Sequence, residues 1–277
     1  MNAVPSVNLL ARATALAAFV LILAGASVTS THSGLSVPDW PLSYGQWMPP
    51  MKGGVFFEHG HRMIAAGVGF LVWCLAALAW AKRSGPWVKG LTLAAAAAVL
   101  LQGVLGGITV LYGLAKPISV AHACLAQALF ALLVFLAVGT EGEGRAEGEH
   151  ASVDAQRASS LTLHAAAAAA AVYMQLIFGA AYRHGIAPIT PHLAGAILAA
   201  VIAWSAAYRG LASFPSASGL GAVSGSLAIV LLAQLLLGLA AFVGSPLLAT
   251  FHVAFGALTL ALCVVLSAKS FTLSRVA

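Results

Sequence analysis

Charge is scarce in this sequence: 13 Lys and Arg and 7 Asp and Glu among 277 residues, 7% in all. A soluble domain carries about 25%, so an ordinary water-exposed globule is excluded. Cysteine is scarcer still. Cys74, Cys124 and Cys263 all fall inside apolar runs, with no C-x-x-C pair, which excludes a disulfide framework or a cysteine-based metal site and leaves them as small buried hydrophobes. The formal charge of +6 is spread between apolar runs rather than gathered into one patch, so nothing points to nucleic acid.

What fills the sequence instead is apolar: 61% hydrophobic residues and a mean hydropathy of +0.97. A spanning helix needs about 20 mostly apolar residues. Eight segments qualify, at about 11–30, 56–80, 90–111, 118–138, 160–180, 190–208, 220–242 and 248–268. The expected fold is therefore an all-α integral membrane protein crossing the bilayer eight times. The fifth segment is the least apolar, through its run Ala165 to Ala171. Pro117, Pro191 and Pro246 stand at or near helix starts, where a missing N–H costs little. The first segment contains Ala24-Gly25-Ala26, which resembles a signal-peptidase site; the apolar run continues through Val28, and we read it as an uncleaved span.

With a cytoplasmic N-terminus, Arg12, Lys82, Arg83, Lys89, Arg145, Arg157, Arg209, Lys269 and Arg275 fall inside, and Lys52, Arg62, Lys116 and Arg183 outside. The positive-inside rule then places both termini in the cytoplasm. The charged, Gly-rich stretch 139–159 reads as a cytoplasmic linker between an amino-terminal half, 1–138, and a carboxy-terminal half, 160–277. The halves read as two pseudo-symmetric four-helix bundles. His61 and His192 are 131 residues apart, His122 and His252 130, and Gln102 and Gln234 132. An even number of spans between copies keeps their orientation. The external loop 31–55 has no counterpart in the second half.

His61, His122, His192 and His252 each lie just inside the start of an even-numbered span, so all four are expected near the external face. An imidazole in hydrocarbon is costly without a partner or a role. Helices 2 and 4, and helices 6 and 8, would each present two imidazoles, as axial ligation of one haem iron requires. The residue four after each histidine is small (Ala65, Ala126, Ala196, Gly256), which thins the face a flat macrocycle would lie on. Small residues also pack membrane helices generally, and single interfacial histidines usually serve as hydrogen-bonders. Four in register favour ligation. His32, His59, His150, His164 and His184 fit solvated or packing roles.

Glu58-His59-Gly60-His61-Arg62 places Glu58, His61 and Arg62 on one helical face. Glu58 and Arg62 read either as an interfacial ion pair or as a carboxylate base one turn from a ligating imidazole. The second half has no equivalent acid, which favours chemistry in the first half and a resident cofactor in the second. Trp40, Tyr44 and Trp47, in a loop broken by four prolines, suit a lid over a bound group and a membrane-surface aromatic belt equally.

The loop GLSVPDWPLSYG, the EHGHR box, LLQGVLGGITVL and SVAHACLAQALF, followed by His192 and His252, together resemble the haem A synthase family over nearly the whole chain. That resemblance implies oxidation of the C8 methyl of haem O to a formyl group, giving haem A for terminal oxidases. It implies Glu58 as catalytic acid/base, His61 and His122 as axial ligands of the substrate haem with Arg62 beside them, and His192 and His252 as ligands of a resident haem b. It also implies haem O as substrate, a haem O synthase and an electron acceptor as partners, and the bacterial plasma membrane as location. Some members carry a cysteine pair in the first external loop; this chain does not. A di-haem b-type cytochrome that only transfers electrons shares all four ligands. A repeat-built transporter would need polar residues at the midplane, and a di-iron carboxylate site would need a second Glu-x-x-His.

Overall fold

The computed structural model describes residues 4–141, 155–214, 219–242 and 244–276. Among these it contains eight helices: α1 Pro5–Ser30, α2 Gly54–Ala81, α3 Pro86–Leu111, α4 Lys116–Gly139, α5 Ala155–Arg183, α6 Ile189–Ser213, α7 Gly219–Ala241 and α8 Pro246–Val276. All eight are long and apolar enough to cross a membrane, and in lipid only such segments satisfy every backbone group internally. This is an all-helical, multi-pass membrane protein.

Several helices outrun their apolar cores. α1 begins at Pro5 rather than 11, α6 ends at Ser213 rather than 208, and α8 continues to Val276 rather than 268. Hydropathy marks only the hydrocarbon-buried part of a helix; the backbone ladder continues into the interface until a turn or proline stops it. The linker expected over 139–159 is shorter for the same reason, since 155–159 already belong to α5. The rest of it, with His150, lies mostly outside the described residues.

Each set of four helices closes on itself. α1 packs on α2 and α4, and α3 bridges α2 and α4; α5 packs on α6 and α8, and α7 bridges α6 and α8. Helices 2 and 4 are thus diagonal partners across one ring, as 6 and 8 are across the other. Buried stripes explain the packing. Val7, Ala11, Ala15, Ala18 and Ile22 line α1, and Ala158, Leu161, Ala165, Ala168 and Val172 line α5, both at helical three- and four-residue spacing. On α6 the stripe is Ala199, Ala203, Ala206, Ala207 and Gly210, small residues that let backbones approach. The mildly apolar alanine run of α5 is therefore an interior helix face.

α8 joins the two cores: Ala257 and Ala261 pack with the first half, Leu260, Cys263 and Leu266 with the second. At the face holding the amino-terminus, Glu141 pairs with Lys269 at 3.0 Å and lies 3.7 Å from Arg12. At the opposite face Arg183 donates to Ser30 Oγ (3.0 Å), and Lys116 donates to the Gly185 carbonyl (3.1 Å). The start of α1 and the end of α8 thus lie at one face, both reached by Glu141.

Candidate functional site

His61 is the eighth residue of α2, His122 and His252 the seventh of α4 and α8, and His192 the fourth of α6. At 1.5 Å per residue all four lie within roughly 12 Å of their helix starts, and those starts share one face. The sequence expectation of a common depth holds in the structure, and the two members of each pair sit on diagonal helices.

What receives these rings is a second regularity. Each imidazole is pressed edge-on against a glycine of the preceding helix. A Cβ added at Gly25, Gly106, Gly179 or Gly238 would stand 3.1, 3.3, 3.1 and 3.0 Å from Cε1 of His61, His122, His192 and His252 respectively. Real Cβ atoms seldom come that close. Alanine at any of the four would require the ring to give way by a few tenths of an ångström. These glycines, on α1, α3, α5 and α7, are seats for the imidazoles. Sequence reasoning missed them, because glycine is common here and its neighbour across the helix interface is not written in the sequence.

In the second half the ring centres of His192 and His252 are 6.2 Å apart with planes at 89°. Two imidazoles bound through one nitrogen each to opposite sides of a metal, at about 2 Å per bond, hold their centres about 6 Å apart. Tyr182 stacks over His192 at 6.3 Å. The amide nitrogen of Gln175 lies 2.8 Å from His192 Nδ1 and donates to the His192 carbonyl at 2.7 Å. His252 Nδ1 is 3.3 Å from the main-chain oxygen of Gln234. Among the described residues no hydrogen bond reaches Nε2 of any of the four histidines. By contrast, Nδ1 of His61 and of His122 are buried without a partner. Free Nε2 atoms on the facing imidazoles of His192 and His252 fit haem iron. The room expected beside Gly256 is instead partly taken by Leu176 and Gln234.

Glu58 and Arg62 hold the external loop. Glu58 is buried and accepts two bonds, from Arg62 Nη2 at 2.7 Å and from the Val37 amide at 2.8 Å. Arg62 also donates to the carbonyls of Asp39 (2.7 Å), Leu42 (3.0 Å) and Val37 (3.2 Å). One guanidinium thereby pins residues 37–42 to α2, a use of its fixed fork of donors. Next to it His59 is buried, with Nδ1 2.7 Å from Ser43 Oγ, so this histidine fastens the loop rather than meeting solvent. Asp39 takes the amides of Tyr44 (2.6 Å) and Gly45 (2.8 Å). Those bonds, Gly45 foremost, hold its carboxyl below the ordinary value.

The three loop aromatics divide. The Trp40 indole lies against the Gly107 backbone, where an added Cβ would stand 2.6 Å from Cδ2. That places it one residue from the seat of His122. Trp47 is 86% exposed and suits the membrane surface. Glu58 is the sole acid within the eight helices. His184, in the short connection between α5 and α6, is held below its ordinary pKa by burial and then by Arg183.

A family model described as "Cytochrome oxidase assembly protein" (COX15-CtaA) matches residues 8–54 and 51–191. The chain is 32% identical over 136 residues to "Heme A synthase" of Bacillus pumilus, covering 48% of this chain and 44% of that one. It is 30% identical over 135 residues to "Heme A synthase" of Alkalihalophilus pseudofirmus, covering 48% and 46%. A stretch of 122 residues is 30% identical to "Protoheme IX farnesyltransferase" of Halobacterium salinarum, covering 44% of this chain and 27% of that protein. The matches thus span less than half the length of these curated relatives.

Proposed function

Because the chain belongs to the COX15-CtaA family of cytochrome oxidase assembly proteins, we propose that it is a membrane haem A synthase, converting the C8 methyl of haem O to the formyl group of haem A. The observation that carries this reading is the set of four imidazoles on alternate helices, at one face, each seated on a glycine with Nε2 free. His192 and His252 would hold a resident haem b. His61 and His122 would hold haem O beneath the loop that Arg62 fastens. Haem supplies the redox chemistry when bound. We also read the two halves as copies of one four-helix unit, the first carrying the substrate and the second the cofactor, in a bacterial plasma membrane with both termini inside.

The chain's own contribution is positional and electrostatic. The glycine seats and the rings would fix where a flat tetrapyrrole lies, with Trp40 packed against Gly107, next to the seat of His122. Oxidation of a methyl to an aldehyde takes up one water and releases four protons and four electrons. Glu58 is the carboxylate that would accept a proton. Each of its oxygens carries one hydrogen bond, and a carboxylate offers about four acceptor sites, so capacity remains. The electrons leave to an acceptor outside the chain. Likeness to a protein named for farnesyl transfer to protohaem supports delivery of haem O by such an enzyme.

A second reading has an observation in its favour. The Glu58–Arg62 pair fully accounts for Glu58 as a loop anchor, as a di-haem cytochrome that only transfers electrons would require. Haem extraction from cells supplied with haem O separates the two. The synthase reading expects haem A with the intact chain and haem O without haem A with Glu58→Ala. Haem O recovered unchanged with both would leave the cytochrome.

A further inference from the structure

At the face opposite the termini the two halves meet around the short corner between α5 and α6. Arg183 ends α5 there and donates to Oγ of Ser30, the last residue of α1, at 3.0 Å. Lys116, the first residue of α4, donates to the Gly185 carbonyl at 3.1 Å. His184 stands between them in the chain. Two cations and an imidazole, drawn from both halves, thus gather at one corner without an acid. The described residues hold three acids, and all are engaged elsewhere. Glu58 is paired with Arg62, Asp39 takes the Tyr44 and Gly45 amides, and Glu141 lies at the other face. Arg183 and Lys116 are therefore met by neutral oxygens alone. Each uses one donor in this way, of five on a guanidinium and three on an ammonium.

The same corner borders both pairs of imidazoles. Tyr182, one residue before Arg183, stacks on the His192 ring with centres 6.3 Å apart. Arg183 lies near enough to His252, and His184 to His122, to interact electrostatically. Ser30 and Lys116 belong to α1 and α4, the helices that carry the seat of His61 and the ring of His122. A haem bears propionate carboxylates along one edge of its macrocycle, and a carboxylate leaving water favours a cationic donor, above all a guanidinium.

Resting on the haem reading, we propose that Arg183 and Lys116 form a carboxylate-binding bridge between the halves. Arg183 takes a propionate of the haem held by His192 and His252, and Lys116 one of the haem held by His61 and His122. Both are positioning residues. Two axial bonds fix the centre and plane of a tetrapyrrole but leave it free to turn about them. A held carboxylate stops that rotation, and in the first half it thereby decides which edge of the ring lies toward Glu58.

The test is titration of the full-length purified protein with ferric protohaem and, separately, with its dimethyl ester, whose propionates are neutral. The absorbance of six-coordinate haem is followed, and His252→Ala and His122→Ala assign the phases to the two halves. Arg183→Gln keeps an N–H for Ser30 and removes the charge. It should weaken the second-half phase for protohaem about 10-fold, the low end for a hydrogen bond to a charged group, and leave the ester unmoved. Lys116→Gln should do the same in the first half, and Arg183→Lys should restore most of the second-half loss. If Arg183→Gln loses helix content, the unaltered protein answers through salt, which should weaken binding of protohaem and spare the ester. Equal losses for acid and ester, no loss for either, or a loss in the wrong half overturns the bridge while haem binding stands. Failure of the protein to bind protohaem, or binding indifferent to both histidine variants, overturns the haem reading itself.

Discussion

The two halves share a ring of four helices and a pair of glycine-seated imidazoles, and they differ in what surrounds those imidazoles. In the second half both Nδ1 atoms have partners, Tyr182 stacks on one ring, and α5 passes to α6 through residues 184–188 alone. In the first half both Nδ1 atoms are orphaned, and residues 31–53 lie between α1 and α2, fastened by Arg62, Glu58 and His59. A common scaffold places the imidazoles. On the proposed function, what is built onto it decides whether a bound group is kept or worked on.

The most damaging test of this contrast removes a ligand. His252→Ala should abolish the second-half haem and leave the first-half site able to bind, with His122→Ala doing the reverse, as read by haem content per chain. Loss of both on either change would deny that the halves are separate sites. Next comes Glu58→Ala, expected to lower formyl production by about 10²- to 10⁴-fold, the range of general acid–base catalysis, with second-half haem content unchanged. Arg62→Leu attacks the loop. Removing one partner of a buried pair costs about 3–5 kcal/mol, and the Arg62 side chain is only 16% exposed. Proteolysis within 37–43 should accelerate while the second-half absorption bands stay in place.

Smaller effects sharpen the comparison. Gly238→Ala should shift the second-half absorption bands by displacing His252, at a stability cost of about 1–3 kcal/mol. Gly103→Ala, where an added Cβ meets nothing within 4 Å, should do neither. The smallest effect concerns Asp39, whose carboxyl is held low by the Gly45 and Tyr44 amides. A lowered folded pKa gives stability that is full above the unfolded value of about 3.9 and fades as pH falls through the folded one. Hydrogen exchange at Tyr44 and Gly45 should therefore show constant protection from about pH 8 to 5 and lose it only below about 4.

The four histidines were legible in the sequence because they interrupt apolar runs at a repeated offset, and counting crossings was enough to bring them to one face. The helix pairs followed from the same count. The seats were not legible: which of 28 glycines faces a ring depends on how neighbouring helices rotate. The Gln-x-x-x-Gly spacing on α3, α5 and α7 is the signal the sequence carries, where Gln102 and Gln234 read only as markers of a repeat. Glu58 and Arg62 were legible as neighbours on one helix face. The reach of Arg62 back to Val37, Asp39 and Leu42 was not, since a contact spanning 20 to 25 residues through an irregular loop leaves no periodic trace. Helix ends were misjudged wherever the ladder outlasts the hydrocarbon.

The most direct measurement is the electron paramagnetic resonance spectrum of the purified protein, with its haem extracted and identified. Paired imidazoles on diagonal helices predict a low-spin ferric haem with two histidine ligands, identified as haem b and lost with His192→Ala. A colourless protein, or a haem signal that survives replacement of all four histidines, would contradict the account.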